Sequence, residues 1–232
     1  MSNIGFIIAM EKEKQALMNL FENSTDVLIH GKLFTKTTYK GHNIVIALAG
    51  IGKVNAGLTT TLLIEHFSPD IIISSGIAGG YDRKLKTLDF VVATSVSYSD
   101  VDAALEGGEQ YGQIPGMPFE YKCQFENVAD IVSKENIDNV YFGKVLSGDQ
   151  FVVDYEKVDT IVNKHFNDQN VLAFEMELGA VSQIAYLMNV PVIALKCISD
   201  IVGETNLTDY DTFSYTASSM MAKLVEKVLN NL

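Results

Sequence analysis

The chain has 232 residues, 47% of them hydrophobic and 20% charged, a length and balance that suit one large α/β domain, here read as residues 1–232, with a sizeable core. A formal net charge of −12 argues against DNA, RNA or an anionic membrane as the main partner and leaves an uncharged nucleoside open. Two cysteines, Cys123 and Cys197, are too few for a disulfide framework; neither they nor the four histidines show metal-ligand spacing, and no leader or long apolar run is present, so a cytoplasmic protein with no metal is expected.

In chain order, "IGFIIA" predicts a strand and the spacing after it a helix over 11–21. "DVLIH", "LFTKTTY" and "NIVIALA" read as a strand meander with turns at Gly31 and Gly41, followed by a helix over 53–66. "DIIISS" and the long "DFVVATSVSYS" are further strands, and the polar, glycine-rich stretch 106–116 is a loop. Helices near 126–135 and 155–165 bracket the strand "VYFGKVL". "NVLAF", a helix over 178–188, "PVIALKCIS" and a terminal helix from about Asp209 complete the chain. Strands that are apolar throughout and alternate with helices imply a sheet covered on both faces, and the meander makes that sheet mixed: a three-layer αβα sandwich.

Glycines and acids gather after six of these strands: "MEKE", "GIGKVN", "GIAGG", "GDQFV", "EMEL" and Asp200. Any one such turn is ordinary, because strand-to-helix turns use glycine and helix starts favour acids. Six together mark the carboxyl edge, where open α/β sheets bind ligands. "GIGKVN" has Asn55 where a dinucleotide fingerprint has its third glycine, and the acid about 20 residues on, Asp70, precedes its strand. "GIGKVNAG" also lacks the spacing of a phosphate-binding loop, so neither NAD nor ATP is expected and no cofactor is called for.

Four carboxylates stand at this edge. Glu13, in "EKEK", reads from spacing alone as a solvated first helical turn, and Asp200 divides evenly between a turn acid and a site. Glu175 and Glu177, in "LAFEMELGAV", sit where the pattern asks for core. If the chain is still extended there they share one face, with Met176 opposite. Dispersed acids without a basic cluster suit a cationic transition state such as that of glycosidic cleavage, where one acid protonates the leaving group and another activates water.

Over nearly its whole length the sequence resembles the bacterial 5′-methylthioadenosine/S-adenosylhomocysteine nucleosidases, within the purine nucleoside phosphorylase fold. The motifs "AMEKE", "GIGKVNAG", "PDIIISSGIAGG", "YGQIPGMP", "SGDQF", "FEMEL" and "ISD" occur in that family's order and spacing. The resemblance implies that Asp200 is the general acid at N7 of adenine, that Glu13 deprotonates the attacking water and that Glu175 helps to organise it. It implies that Glu177 accepts from the ribose hydroxyls, that Met176 packs on the sugar, that Phe151 stacks on the purine and that the Val152 backbone reads its edge. Ile51 and Tyr210 would line the 5′-alkylthio pocket, with Ile77, Ala78, Gly79, Lys196 and Ser199 completing the substrate site. Ala103, Leu105 and Pro115 would extend into a partner subunit's pocket, implying a homodimer.

The sequence departs from the family at Ile77, where serine is usual, and at Lys196, where arginine is usual; lysine keeps the charge and loses the planar fork. The loop after Asp100, "VDAALEGGEQYG", departs as well. Three alternatives follow a hydrolase acting on an adenine nucleoside: a non-catalytic or slow adenosine-ligand binder, a nucleoside phosphorylase, and last a NAD-dependent dehydrogenase. The phosphorylase would need arginines around an anion site, and "AMEKEK", "GIGKVN" and "GIAGGY" contain none.

Overall fold

The computed structural model describes residues 2–104, 108–204 and 207–232, with the backbone alone for 207–212. The chain opens with β1 (Asn3–Ile8) and α1 (Glu11–Met18), then forms the meander β2 (Thr25–Ile29), β3 (Lys32–Tyr39) and β4 (His42–Leu48) before α2 (Lys53–Phe67). After it come β5 (Ile71–Gly80), β6 (Phe90–Tyr98), the two-residue β7 (Tyr121–Lys122), α3 (Glu126–Lys134), β8 (Val140–Ser147) and α4 (Tyr155–His165). β9 (Val171–Glu175), α5 (Leu178–Leu187), β10 (Val192–Ile201) and α6 (Leu207–Leu229) complete it. Each meander hairpin closes through two residues at positive φ, His30 with Gly31 and Lys40 with Gly41. That geometry matches the twist of the flanking strands and explains the glycine in each turn.

The strands form one mixed sheet. β1 runs parallel between β4 and β5, and β5 runs parallel to β10. β10 pairs antiparallel with β6, β6 parallel with β8 and β8 parallel with β9. β9 then meets the end of β5 antiparallel through Gly79 and Gly80. The pairings of β5, β10, β6, β8 and β9 therefore close into a ring, from which β1, β4, β3 and β2 extend.

Alternation along the strands fills both faces. Ile4, Phe6 and Ile8 pack with Leu17 of α1 and with Met221, Leu224 and Val228 of α6. Ile7 points the other way, toward Ala56 and Leu63 of α2 and Leu178 and Val181 of α5. β10 divides likewise, Ile193, Leu195 and Cys197 joining the first group and Val192 and Ala194 the second. Burial on both faces is why these strands read as continuous apolar runs, and each fully buried Ile or Phe contributes about 1.5–3 kcal/mol. α4 covers the ring through Val158 and Val162, packed with Leu146, Phe174 and Tyr81.

The expected mixed sheet between helical layers forms, with three local corrections. α1 ends at Met18 rather than 21, because the N–H groups of Leu20 and Phe21 bond three residues back, to Leu17 and Met18. "GIAGG" is the end of β5 rather than a loop. Its glycines admit close neighbours: a Cβ on Gly80 would lie 2.9 Å from Ile201 Cδ1. β10 likewise continues through Asp200 to Ile201, with a register shift between Ile198 and Asp200.

Candidate active site

Glu13 is buried, not a solvated helical residue. It occupies the first turn of α1, where its Oε2 accepts from the Met10 N–H at 2.9 Å and its Oε1 from the Ile77 N–H of β5 at 3.0 Å. Gly76 leaves room for it, since a Cβ there would stand 2.7 Å from Oε1. Burial raises the Glu13 carboxyl above its ordinary range, against the opposing pull of Lys196.

The two glutamates of "FEMEL" are brought together, but not by an extended chain. Glu175 is the last residue of β9, the backbone bends at Met176, and Glu177 is the residue that opens α5. Met176 consequently lines the same cavity as its neighbours instead of facing away. Glu175 Oε2 accepts from the N–H groups of Glu177 and Leu178, at 3.1 and 2.8 Å, and from Lys196 Nζ at 3.1 Å. Its Oε1 is buried without a partner among the described residues. Glu177 Oε1 accepts from the Gly52 N–H at 2.7 Å. Burial first and Glu175 second push its carboxyl up to about 7.

Lys196 projects from β10 into this cluster, and the Lys196–Glu175 pair has side chains only 4% and 2% exposed. Burial alone would lower the lysine, but Glu175, Glu177 and Glu13 together hold it above its ordinary value, so it stays a cation. One buried cation thus faces three carboxylates. Such a set persists only if part of it holds protons.

Asp200 lines the same cavity. The register shift before it turns Ser199 so that the serine Oγ donates to Asp200 Oδ1 at 2.6 Å, leaving Oδ2 beside Gly79. Burial raises this carboxyl too, opposed by the serine hydrogen bond. A carboxyl whose proton affinity is raised by burial is better suited to act as a general acid.

A single cavity at the carboxyl edge is lined by Glu13, Ile51, Ile77, Ala78, Gly79, Phe151, Val152, Glu175, Met176, Glu177, Lys196, Ser199 and Asp200. Ile51 and Phe151 stand at its mouth, 52% and 48% exposed. Ala103 and Pro115 do not line it. Leu105 and the Tyr210 side chain lie outside the described residues. Four lining residues escaped the sequence reading: Ala9, Met10, Gln150 and Phe174. Each lies inside one of the motifs "AMEKE", "SGDQF" and "FEMEL", so membership of a motif was the available signal. Among the described residues no group of three His, Cys, Asp or Glu is arranged to hold a metal, and no helix is long and apolar enough to cross a membrane.

The closed sheet and a carboxylate-lined cavity at its edge define the class, for the phosphorylase superfamily model matches residues 3–230. A 5′-methylthioadenosine/S-adenosylhomocysteine nucleosidase of Exiguobacterium sp. is 38% identical over 99% of this chain and 98% of its own. The nucleosidase of that name from Anoxybacillus flavithermus is 36% identical over 99% of both chains. The crystal structure of the Neisseria meningitidis nucleosidase in complex with methylthio-immucillin-A aligns with a TM-score of 0.92 at 32% identity, covering 100% of each chain. The chain belongs to the 5′-methylthioadenosine/S-adenosylhomocysteine nucleosidase family.

Proposed function

We propose that this enzyme hydrolyses the N-glycosidic bond of an adenine nucleoside bearing a 5′ substituent, namely 5′-methylthioadenosine, S-adenosylhomocysteine or 5′-deoxyadenosine, releasing adenine and the 5-substituted ribose. The observation that carries the reading is the placement of Asp200 and Glu13 on one buried cavity, each with its carboxyl raised by burial. Asp200 gives its proton to N7 as the C–N bond breaks, turning the base into a neutral leaving group while positive charge grows on the ribose. Glu13 takes a proton from water as its oxygen bonds to the sugar carbon, and Glu175, through its unpartnered Oε1, helps to hold that water. Each turnover thus leaves a proton on Glu13 and removes one from Asp200, a balance restored through solvent. Glu177 accepts from the ribose hydroxyls, Met176 packs on the sugar, and Phe151 and Val152 hold the base.

Water rather than phosphate is the expected nucleophile, because among the described residues the cavity's lining has one cation, Lys196, already paired with Glu175. A dianion beside Glu13, Glu175 and Glu177 would meet like charge.

The protein acts as a single domain and as a homodimer in the cytoplasm. The family model spans almost the full chain, and α2 and α5, which also carry Gly52 and Glu177 at their starts, expose large apolar side chains. Val54 of α2 is 84% exposed, and Leu58 of α2 and Tyr186 and Leu187 of α5 are exposed as well. Ala103, Leu105 and Pro115 belong to the segment proposed to reach the partner's pocket.

The test is adenine release from each of the three nucleosides, with and without phosphate, on protein whose mass in solution is measured by light scattering. Phosphate-independent release from a dimer is expected. Release that requires phosphate would overturn the hydrolase, binding without release would make the protein a ligand binder, and a monomer at micromolar concentration would refute the dimer.

A further inference from the structure

Beside the cavity lies an ion-paired cluster that the proposed reaction does not use. Lys53, the first residue of α2, places Nζ 2.8 Å from both carboxylate oxygens of Asp100, just beyond the end of β6. The pair is largely buried, and the Tyr98 ring lies 5.2 Å from the ammonium. Asp100 Oδ2 also accepts from the Asp149 N–H at 2.9 Å. Asp149 in turn accepts from the Lys53 N–H at 2.8 Å, satisfying one of the open donors in the first turn of α2. Its neighbour Gly148 has no space for a side chain, because a Cβ would sit 2.5 Å from Ser99 Oγ and 3.0 Å from Asp100 Cγ. The chain leaving β8 is therefore pressed against the chain leaving β6 and pinned to α2 directly before Gln150, Phe151 and Val152, which line the cavity.

We propose that Lys53, Asp100 and Asp149 form a clasp that sets the position of the 148–153 segment over the cavity, making Asp149 a positioning residue for the bound base. The inference rests on the nucleosidase reading above for what is bound. Two carboxylates, one lining the cavity and one directly before the segment that lines it, meet the same helix start: Glu177 on the Gly52 N–H and Asp149 on the Lys53 N–H. The helix dipole favours both. The node thus ties the wall assigned to the ribose to the segment assigned to the base. Glu13 and Asp200 share no hydrogen bond with it. Loosening the clasp therefore weakens binding and spares bond cleavage.

The perturbation is Asp149→Ala, with Asp149→Asn as the conservative partner, since asparagine keeps an Oδ1 acceptor for the Lys53 N–H. Asp149→Ala should raise KM for methylthioadenosine and the dissociation constant of free adenine by about tenfold, the scale of a lost helix cap, and leave kcat within about threefold. Asp149→Asn should recover most of both losses. In hydrogen exchange, the peptides covering 148–153 should exchange faster in Asp149→Ala than in the wild type. A residue that merely capped α2 would lower the melting temperature and leave KM, adenine affinity and exchange at 148–153 unchanged, and that result overturns the clasp. A fall in kcat with unchanged KM overturns it as well. If the wild-type protein releases no adenine, the nucleosidase reading falls, and the exchange measurement decides the clasp by itself: faster exchange at 148–153 supports it and unchanged exchange refutes it.

Discussion

Glu177→Gln should stabilise the ligand-free protein at pH 8 while removing the group proposed to hold the ribose. Burial, and after it the charge of Glu175, raises the Glu177 carboxyl from 4.5 to about 7. The native state therefore binds this proton more tightly than the unfolded chain. The group's contribution to stability is complete below pH 4.5, declines as the pH rises, and is gone above about pH 7. At about 1.4 kcal/mol for each pH unit the loss is about 3 kcal/mol. Glutamine never ionises, and its Oε1 can still accept from the Gly52 N–H, which lies 2.7 Å from the native carboxylate. Lys196 keeps Glu175 as its partner, at 3.1 Å. Melting curves of wild type and variant should nearly coincide at pH 5 and separate as the pH rises. At about 2–4 °C for each kcal/mol, the variant should melt about 6–12 °C higher at pH 8. A variant that melts at or below the wild type at pH 8, or that keeps the wild-type pH slope, would refute the claim that this carboxylate is buried at the expense of stability.

Three other outcomes are expected. Asp200→Asn should lower adenine release by about 10²–10⁴-fold with an unchanged circular dichroism spectrum, and full activity would remove Asp200 from the acid role. Lys196→Met leaves Glu175 buried without its cation, so the melting temperature should fall by about 6–20 °C, from a loss of about 3–5 kcal/mol; an unchanged melting temperature would show that the pair is dispensable. Gly76→Ala puts a methyl 2.7 Å from Glu13 Oε1 and should displace the carboxylate, lowering kcat by about 10²-fold, as a misplacement of about 1 Å can. Equal kcat values for this variant and the wild type would mean that Glu13 tolerates the shift.

Much of this protein can be read from local pattern. Continuous apolar strands alternating with helices imply a sheet covered on both faces, because that periodicity depends on near neighbours in the chain. Glycines and acids after successive strands locate the carboxyl edge, and the order of the motifs identifies the family. The tertiary structure decides what depends on distant residues. "GIAGG" looks like a loop because glycine usually marks a turn, yet here it is strand, its missing side chains giving room to Ile198 and Ile201 of the neighbouring β10. Glu13 looks solvated in "EKEK" because nothing nearby shows that β5, 64 residues on, supplies the Ile77 N–H that holds it. Glu175 and Glu177 converge through a bend rather than through strand alternation. The proton affinity of Glu177 follows from exclusion of water and from the charge of Glu175, which arise only when the fold encloses the cluster on β9, α5 and β10. Sequence specifies which groups are available; the folded surroundings set their proton affinities, because desolvation and Coulomb energy depend on distance in space and not along the chain.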